Sequence, residues 1–129
     1  METDTRSRMN KVFATLRKNG FIAKQNFSCC NENARDVITK YVKSSLKKSL
    51  NKRRMVFYTK QDGKQWDESY TKMHHVPGVW VSFGAIRASE QIACPSDKSV
   101  GSEVVLAFRM AGFRVDWTDI NSTKVFVYT

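Results

Sequence analysis

Residues that carry chemistry are scarce in this sequence, and their scarcity excludes several classes of protein. The 129 residues include three cysteines and two histidines. The cysteine number is odd, and Cys29 and Cys30 are neighbours. Adjacent cysteines rarely pair, and secreted domains of this size usually carry an even, spaced framework. The histidines, His74 and His75, sit side by side ahead of Pro77. There is no His-Glu-x-x-His, no glycine-rich phosphate loop and no nucleophile elbow. No catalytic constellation is therefore legible, no cofactor is implied, and a non-enzymatic role is expected. No apolar run approaches the roughly 18 residues that span a bilayer. The opening METDTRSRMNKVFATLRKNG is charged throughout, which leaves no apolar core for a secretory leader. These features together predict an intracellular, reducing compartment, cytoplasm or nucleus, without membrane contact.

Acid is the other shortage. Twelve Asp and Glu face 22 Lys and Arg, for a net charge of +10 and a pI near 9.8. A pI above about 9 is the electrostatic footprint of a nucleic-acid binder, although charge alone speaks to association and not to fold. Hydrophobic residues make up 41% of the chain and aromatics 12%, enough apolar surface to offset the ordering entropy that keeps polar chains disordered.

Along the chain, Met9, Val12, Phe13 and Leu16 recur at helical spacing between Thr5 and Lys18, and Asn19-Gly20 supplies a left-handed helix ending. Phe21 to Phe27 reads as a strand. Ser28 is a candidate N-cap for the clearest helix, with Ala34, Val37, Ile38, Tyr41, Val42, Leu46 and Leu50 as its apolar stripe. Arg54 to Lys60 reads as a strand and Gln61-Asp62-Gly63 as a turn, whereas Lys64 to His75 is ambiguous. Val79 to Ala85 is almost continuously apolar, the mark of a central strand. Arg87 to Lys98 is the longest loop; Ser99 is a candidate cap for a last helix with Val100, Val104, Ala107, Phe108 and Ala111 inward and Gly112 at its end. Phe113 to Thr118 and Lys124 to Thr129 then form a C-terminal hairpin. This order predicts a single α+β domain over residues 1–129: a roughly five-stranded mixed sheet with about three helices packed on it. LRKNGFIAKQ and FRMAGFRVDW share one grammar of basic helix end, glycine stop, phenylalanine and strand, which shared turn punctuation or an internal duplication would both produce.

The charge is concentrated. Between Arg35 and Arg54 lie eight cations, Arg35, Lys40, Lys43, Lys47, Lys48, Lys52, Arg53 and Arg54, and a single acid, Asp36. Solvated helix faces normally mix signs; an almost unmixed ridge can follow phosphates and release their counterions. Ser44, Ser45, Ser49 and Asn51 add short donors suited to phosphate oxygens. The expected partner is nucleic acid, DNA or RNA, held largely without sequence reading; an acidic protein partner, with or without homo-oligomerisation, is the alternative. Lys47 to Arg54 also matches the loose pattern of a nuclear import signal. Cys29 and Cys30, at a helix start that lowers thiol pKa, could join Cys94 and His74 or His75 around a metal, yet none has the close spacing of a dedicated zinc site; a thiol or metal role is the second alternative. Phe57, Tyr58, Trp80, Phe83 and Trp117 fall on strands where at least one face is core, with Tyr58 and Trp66 as candidates for base stacking.

The stretches GFIAKQNFSCC, VFYTKQD, VWVSFGA and VGSEVVLAFRMAGFRVDW, in this order, resemble an uncharacterised bacterial family of small domains of unknown function. The resemblance covers most of the chain and implies no established activity. In that family the double cysteine resembles the start of a Cys-Cys-x-x-Cys-Gly motif; here Asn33 and Ala34 stand at the third cysteine and the glycine, so a metal or redox role does not transfer intact. A compact, basic version of this kind would suit a virion-packaged or host-directed protein of a large DNA virus, acting in the host nucleus.

Overall fold

The spacing of Met9, Val12, Phe13 and Leu16 does what it dictates: helix α1 (Thr3–Lys18) turns these four inward, none more than 3% exposed. The computed structural model describes residues 3–27, 31–44, 54–60, 77–86, 96–119 and 121–129. Gly20, at φ 92°, donates its N–H to the Arg17 carbonyl and stops α1 in the left-handed conformation that glycine adopts without strain. Strand β1 (Phe21–Lys24) follows. It is shorter than the expected Phe21 to Phe27 because Asn26 takes a positive φ of 50°, which breaks the extended run.

Helix α2 (Asn31–Ser44) lies between β1 and β2 (Arg54–Phe57). These strands pair in parallel, Phe21 opposite Arg54, and a parallel pair needs such a crossover. Strand β3 (Gly78–Ala85), helix α3 (Asp97–Met110), and strands β4 (Val115–Asp116) and β5 (Lys124–Tyr128) complete the described elements. The strand order is β1-β2-β3-β5-β4, every contact but the first antiparallel. The chain is thus an α+β fold with a five-stranded mixed sheet, with β3 central as its apolar run predicts, and β4 and β5 pair as the expected C-terminal hairpin.

Strand alternation sends one set of residues to each face. On one face Ala23, Val56, Val79, Val81, Phe83, Val125 and Val127 pack with α1 and α3 in the main core. On the other, Ile22, Met55 and Phe57 pack with Ala34 and Ile38 of α2. Gly101 sets how closely α3 approaches the sheet, because a Cβ there would stand 2.7 Å from the rings of Phe83 and Trp117.

Several boundaries move for local reasons. The cap of α3 is Ser96, whose hydroxyl accepts from Ser99 N–H at 3.1 Å, so the helix opens earlier than a Ser99 cap allows. Its buried face is Val100, Gly101, Val104, Val105 and Phe108, while Ala107 and Ala111 are half-buried. At the far end, Phe113 N–H reaches Phe108 carbonyl and Gly112 N–H reaches Arg109 carbonyl, a Schellman ending sealed by the Phe108–Phe113 ring contact at 5.8 Å. Phe113 serves this turn, and the strand expected from it begins only at Val115. The two glycine stops share more than punctuation. Phe21 and Phe113 are both buried, and each lies under an arginine, Arg54 at 4.7 Å and Arg8 at 4.6 Å. The strands that follow occupy opposite edges of the sheet, one parallel and one antiparallel to its neighbour.

The extension of α2 toward Leu50, the turn at Gln61–Gly63, the stretch Lys64–His75 and the loop from Arg87 through Pro95 lie outside the described residues.

Candidate nucleic-acid interface

At 100° per residue, Asp36, Lys40 and Lys43 share one side of α2, and Ala34 and Ile38 fall opposite. Ala34 and Ile38 are buried. Lys40 is 76% exposed and pairs with Asp36 at 3.1 Å. An exposed pair of this spacing is worth only a few tenths of a kcal/mol, so a phosphate can take Asp36's place. Lys43 follows one turn along α2. Lys47, Lys48, Lys52 and Arg53 lie outside the described residues.

The two ends of the basic segment are tied into the fold. Arg35 is half-buried and donates through Nη2 to the Phe83 carbonyl at 2.8 Å and the Thr123 carbonyl at 3.4 Å. The reason lies in the sheet. The β3–β5 ladder ends at Ser82 opposite Lys124; Phe83 N–H still finds Thr123 carbonyl, and the Phe83 carbonyl on the same strand side is met by Arg35. Gly84 leaves room for this, since a Cβ there would sit 2.9 Å from Arg35 Nη1. Burial lowers the Arg35 pKa from its ordinary value, and the charge of Asp97 opposes that shift. Asp97 in turn accepts from Ala85 N–H at 2.8 Å. Arg54, 22% exposed, meets Glu103 Oε1 at 2.6 Å, donates to the Asn19 carbonyl and covers Phe21.

A second cationic stretch escapes a reading that scores clusters. Thr5 to Asn31 contains Arg6, Arg8, Lys11, Arg17, Lys18 and Lys24 without one acid. Lys11, Arg17, Lys18 and Lys24 are exposed. The absence of acid, not a density of lysine, was the available signal.

Of the aromatics, Phe57, Tyr58 and Phe83 are buried, and Trp80 and Trp117 are half-buried. Tyr58 faces the main core at 2% exposure, its hydroxyl donating to Gln25 Oε1 at 3.0 Å, which removes it as a stacking platform. Trp66 lies outside the described residues, as do Cys29, Cys30, Cys94, His74 and His75. Among the described residues no group of three or more His, Cys, Asp or Glu side chains is placed to hold a metal, and no helix is long and apolar enough to cross a membrane.

Fold and surface define a small α+β domain with an acid-poor cationic exterior. The chain belongs to the family described as Domain of unknown function (DUF6891), which matches residues 1–129, in keeping with the resemblance to an uncharacterised small-domain family. No curated protein and no solved structure matches it.

Proposed function

We propose that this chain is a non-enzymatic module that holds nucleic acid by its phosphates, largely without reading sequence. The contact surface is the outer side of α2 and the segment after it: Lys40, Lys43, Lys47, Lys48, Lys52 and Arg53. One observation carries the reading: the cationic side of α2 stands opposite its buried side, with Lys40 open to solvent, in a stretch whose single acid is Asp36. Arg35 and Arg54 are left out of this surface: Arg35 is engaged by the Phe83 and Thr123 carbonyls, and Arg54 meets Glu103, Asn19 and Phe21 on the face of the sheet that packs with α1 and α3. Lysine presents a point charge that engages phosphate in any sequence.

The test is a salt titration of binding to duplex and single-stranded oligonucleotides by fluorescence anisotropy. Six phosphate contacts correspond to a log–log slope of about −5 on duplex DNA. Salt-insensitive binding, or none at low salt, overturns the proposal.

A second reading, a protein-assembly module that includes self-association, is favoured by Leu106 and Met110. They stand four residues apart on α3 and are 59% and 79% exposed. Sedimentation of the wild type against Leu106→Asp tests its self-association; a monomer in both cases removes that part of the reading.

A further inference from the structure

Where β1 forms the edge of the sheet, the end of α1 closes over one face and α2 over the other, leaving a groove of about 250 Å³. Its apolar surface includes Phe21, Ile22, Phe27, Val37 and Ile38, with Arg17 and Lys24 among its lining residues. Val37 departs from the stripe in which its spacing placed it: it is 43% exposed, while Ala34 and Ile38 are buried. Phe27 is half-buried. An aromatic ring and a branched apolar side chain therefore face a space large enough for a planar apolar group.

The cations are placed for an anion attached to that group. Arg17 donates through Nε to the Ala23 carbonyl at 3.0 Å. This fixes the guanidinium at the sheet edge and leaves both terminal nitrogens without a hydrogen-bond partner among the described residues. Lys24 is exposed and likewise without one. Among the described residues no acid lines the groove. On the α2 side, Lys40 lies one turn beyond Val37 on the same helix.

We propose that this groove seats an unpaired base of a single-stranded nucleic acid against Phe27 and Val37, with the flanking phosphates on Arg17 and Lys24. The proposal rests on the phosphate-binding reading above and adds a preference within it. Phosphates are available on duplex and single strand alike, but only an unpaired base can leave its stack and enter an apolar groove; stacking on an aromatic is tolerant of sequence because every base has a π-face.

The test compares the full chain binding an oligothymidylate and an abasic oligonucleotide of the same length, which keeps the phosphates and lacks the bases. The wild type is expected to bind oligothymidylate about tenfold more tightly or better. Phe27→Leu, which retains apolar volume, is expected to remove most of that difference and leave abasic binding unchanged. Val37→Gln, on an exposed helix position, provides a second variant with the same expected direction. Equal affinity for both oligonucleotides, or a preference that persists in both variants, overturns the groove while the phosphate reading stands. Absence of binding to either at low salt overturns both.

Discussion

The guanidinium of Arg35 donates to the main-chain carbonyl of Phe83 at 2.8 Å, at the point where β5 no longer lies alongside β3. An arginine of the cationic segment thereby becomes the hydrogen-bond partner of a strand that is wholly buried at Phe83. Arg35→Ala leaves that carbonyl without this donor, and the expected loss is about 1–3 kcal/mol in urea unfolding. Arg35→Lys recovers only part, since both bonds come from Nη2 at the far end of the guanidinium and an ammonium is more strongly hydrated, so it loses more on entering a half-buried site. The downward pKa shift means that folding disfavours the protonated guanidinium, a cost present below the folded pKa and relieved only as pH rises toward the unfolded one. Arginine is protonated throughout the neutral range, so the loss is expected to be the same between about pH 6 and 8.

Arg54 and Glu103 offer a contrast. Their contact is short but half in solvent, and a double-mutant cycle is expected to return a coupling under about 1 kcal/mol that shrinks with salt. Arg54→Ala alone is expected to cost more than Glu103→Gln, because it also removes the donor to Asn19 and the cover over Phe21. Chemical denaturation of the two single variants checks the order.

Gly101→Ala sets two effects against each other. Alanine is favoured over glycine inside a helix by about 1 kcal/mol, but its Cβ meets the rings of Phe83 and Trp117. Both rings are held, Phe83 fully buried and Trp117 tied through Nε1 to the Ser122 carbonyl at 3.2 Å. Overpacking is expected to win, with a net loss of about 1–2 kcal/mol. A rise in Tm would contradict this account of how α3 seats on the sheet.

The elements that periodicity governs were legible: α1 and its four inward residues, the two glycine stops, central β3 and the C-terminal hairpin. Features set by tertiary partners were not. Val37 fits the apolar stripe of α2 by spacing, yet among the described residues Ala34 and Ile38 are the α2 side chains packed against Ile22, Met55 and Phe57, and Val37 is 43% exposed. Ser96 and Ser99 are equally good caps by residue type, and only the local hydrogen bond chooses between them. A count of cations on a segment also ignores reach: Arg35 and Arg54 extend long side chains to the Phe83, Thr123 and Asn19 carbonyls and to Glu103, which no local pattern specifies. The acid-free run from Thr5 to Asn31 was visible in the residues, but its relation to Val37 appears only when α1, β1 and α2 meet.

The most direct measurement of the central claim sets Lys43→Glu/Lys47→Glu beside a charge-matched control, Lys98→Glu/Arg109→Glu, whose residues are exposed on α3. Both pairs lower the net charge of +10 equally. In salt-titrated binding, the α2 pair is predicted to lower affinity at least tenfold at low salt and to reduce the log–log slope by about two. The α3 pair is predicted to change the affinity far less and leave the slope intact. Equal effects from the two pairs would show that total charge, not the outer side of α2, binds the polyanion.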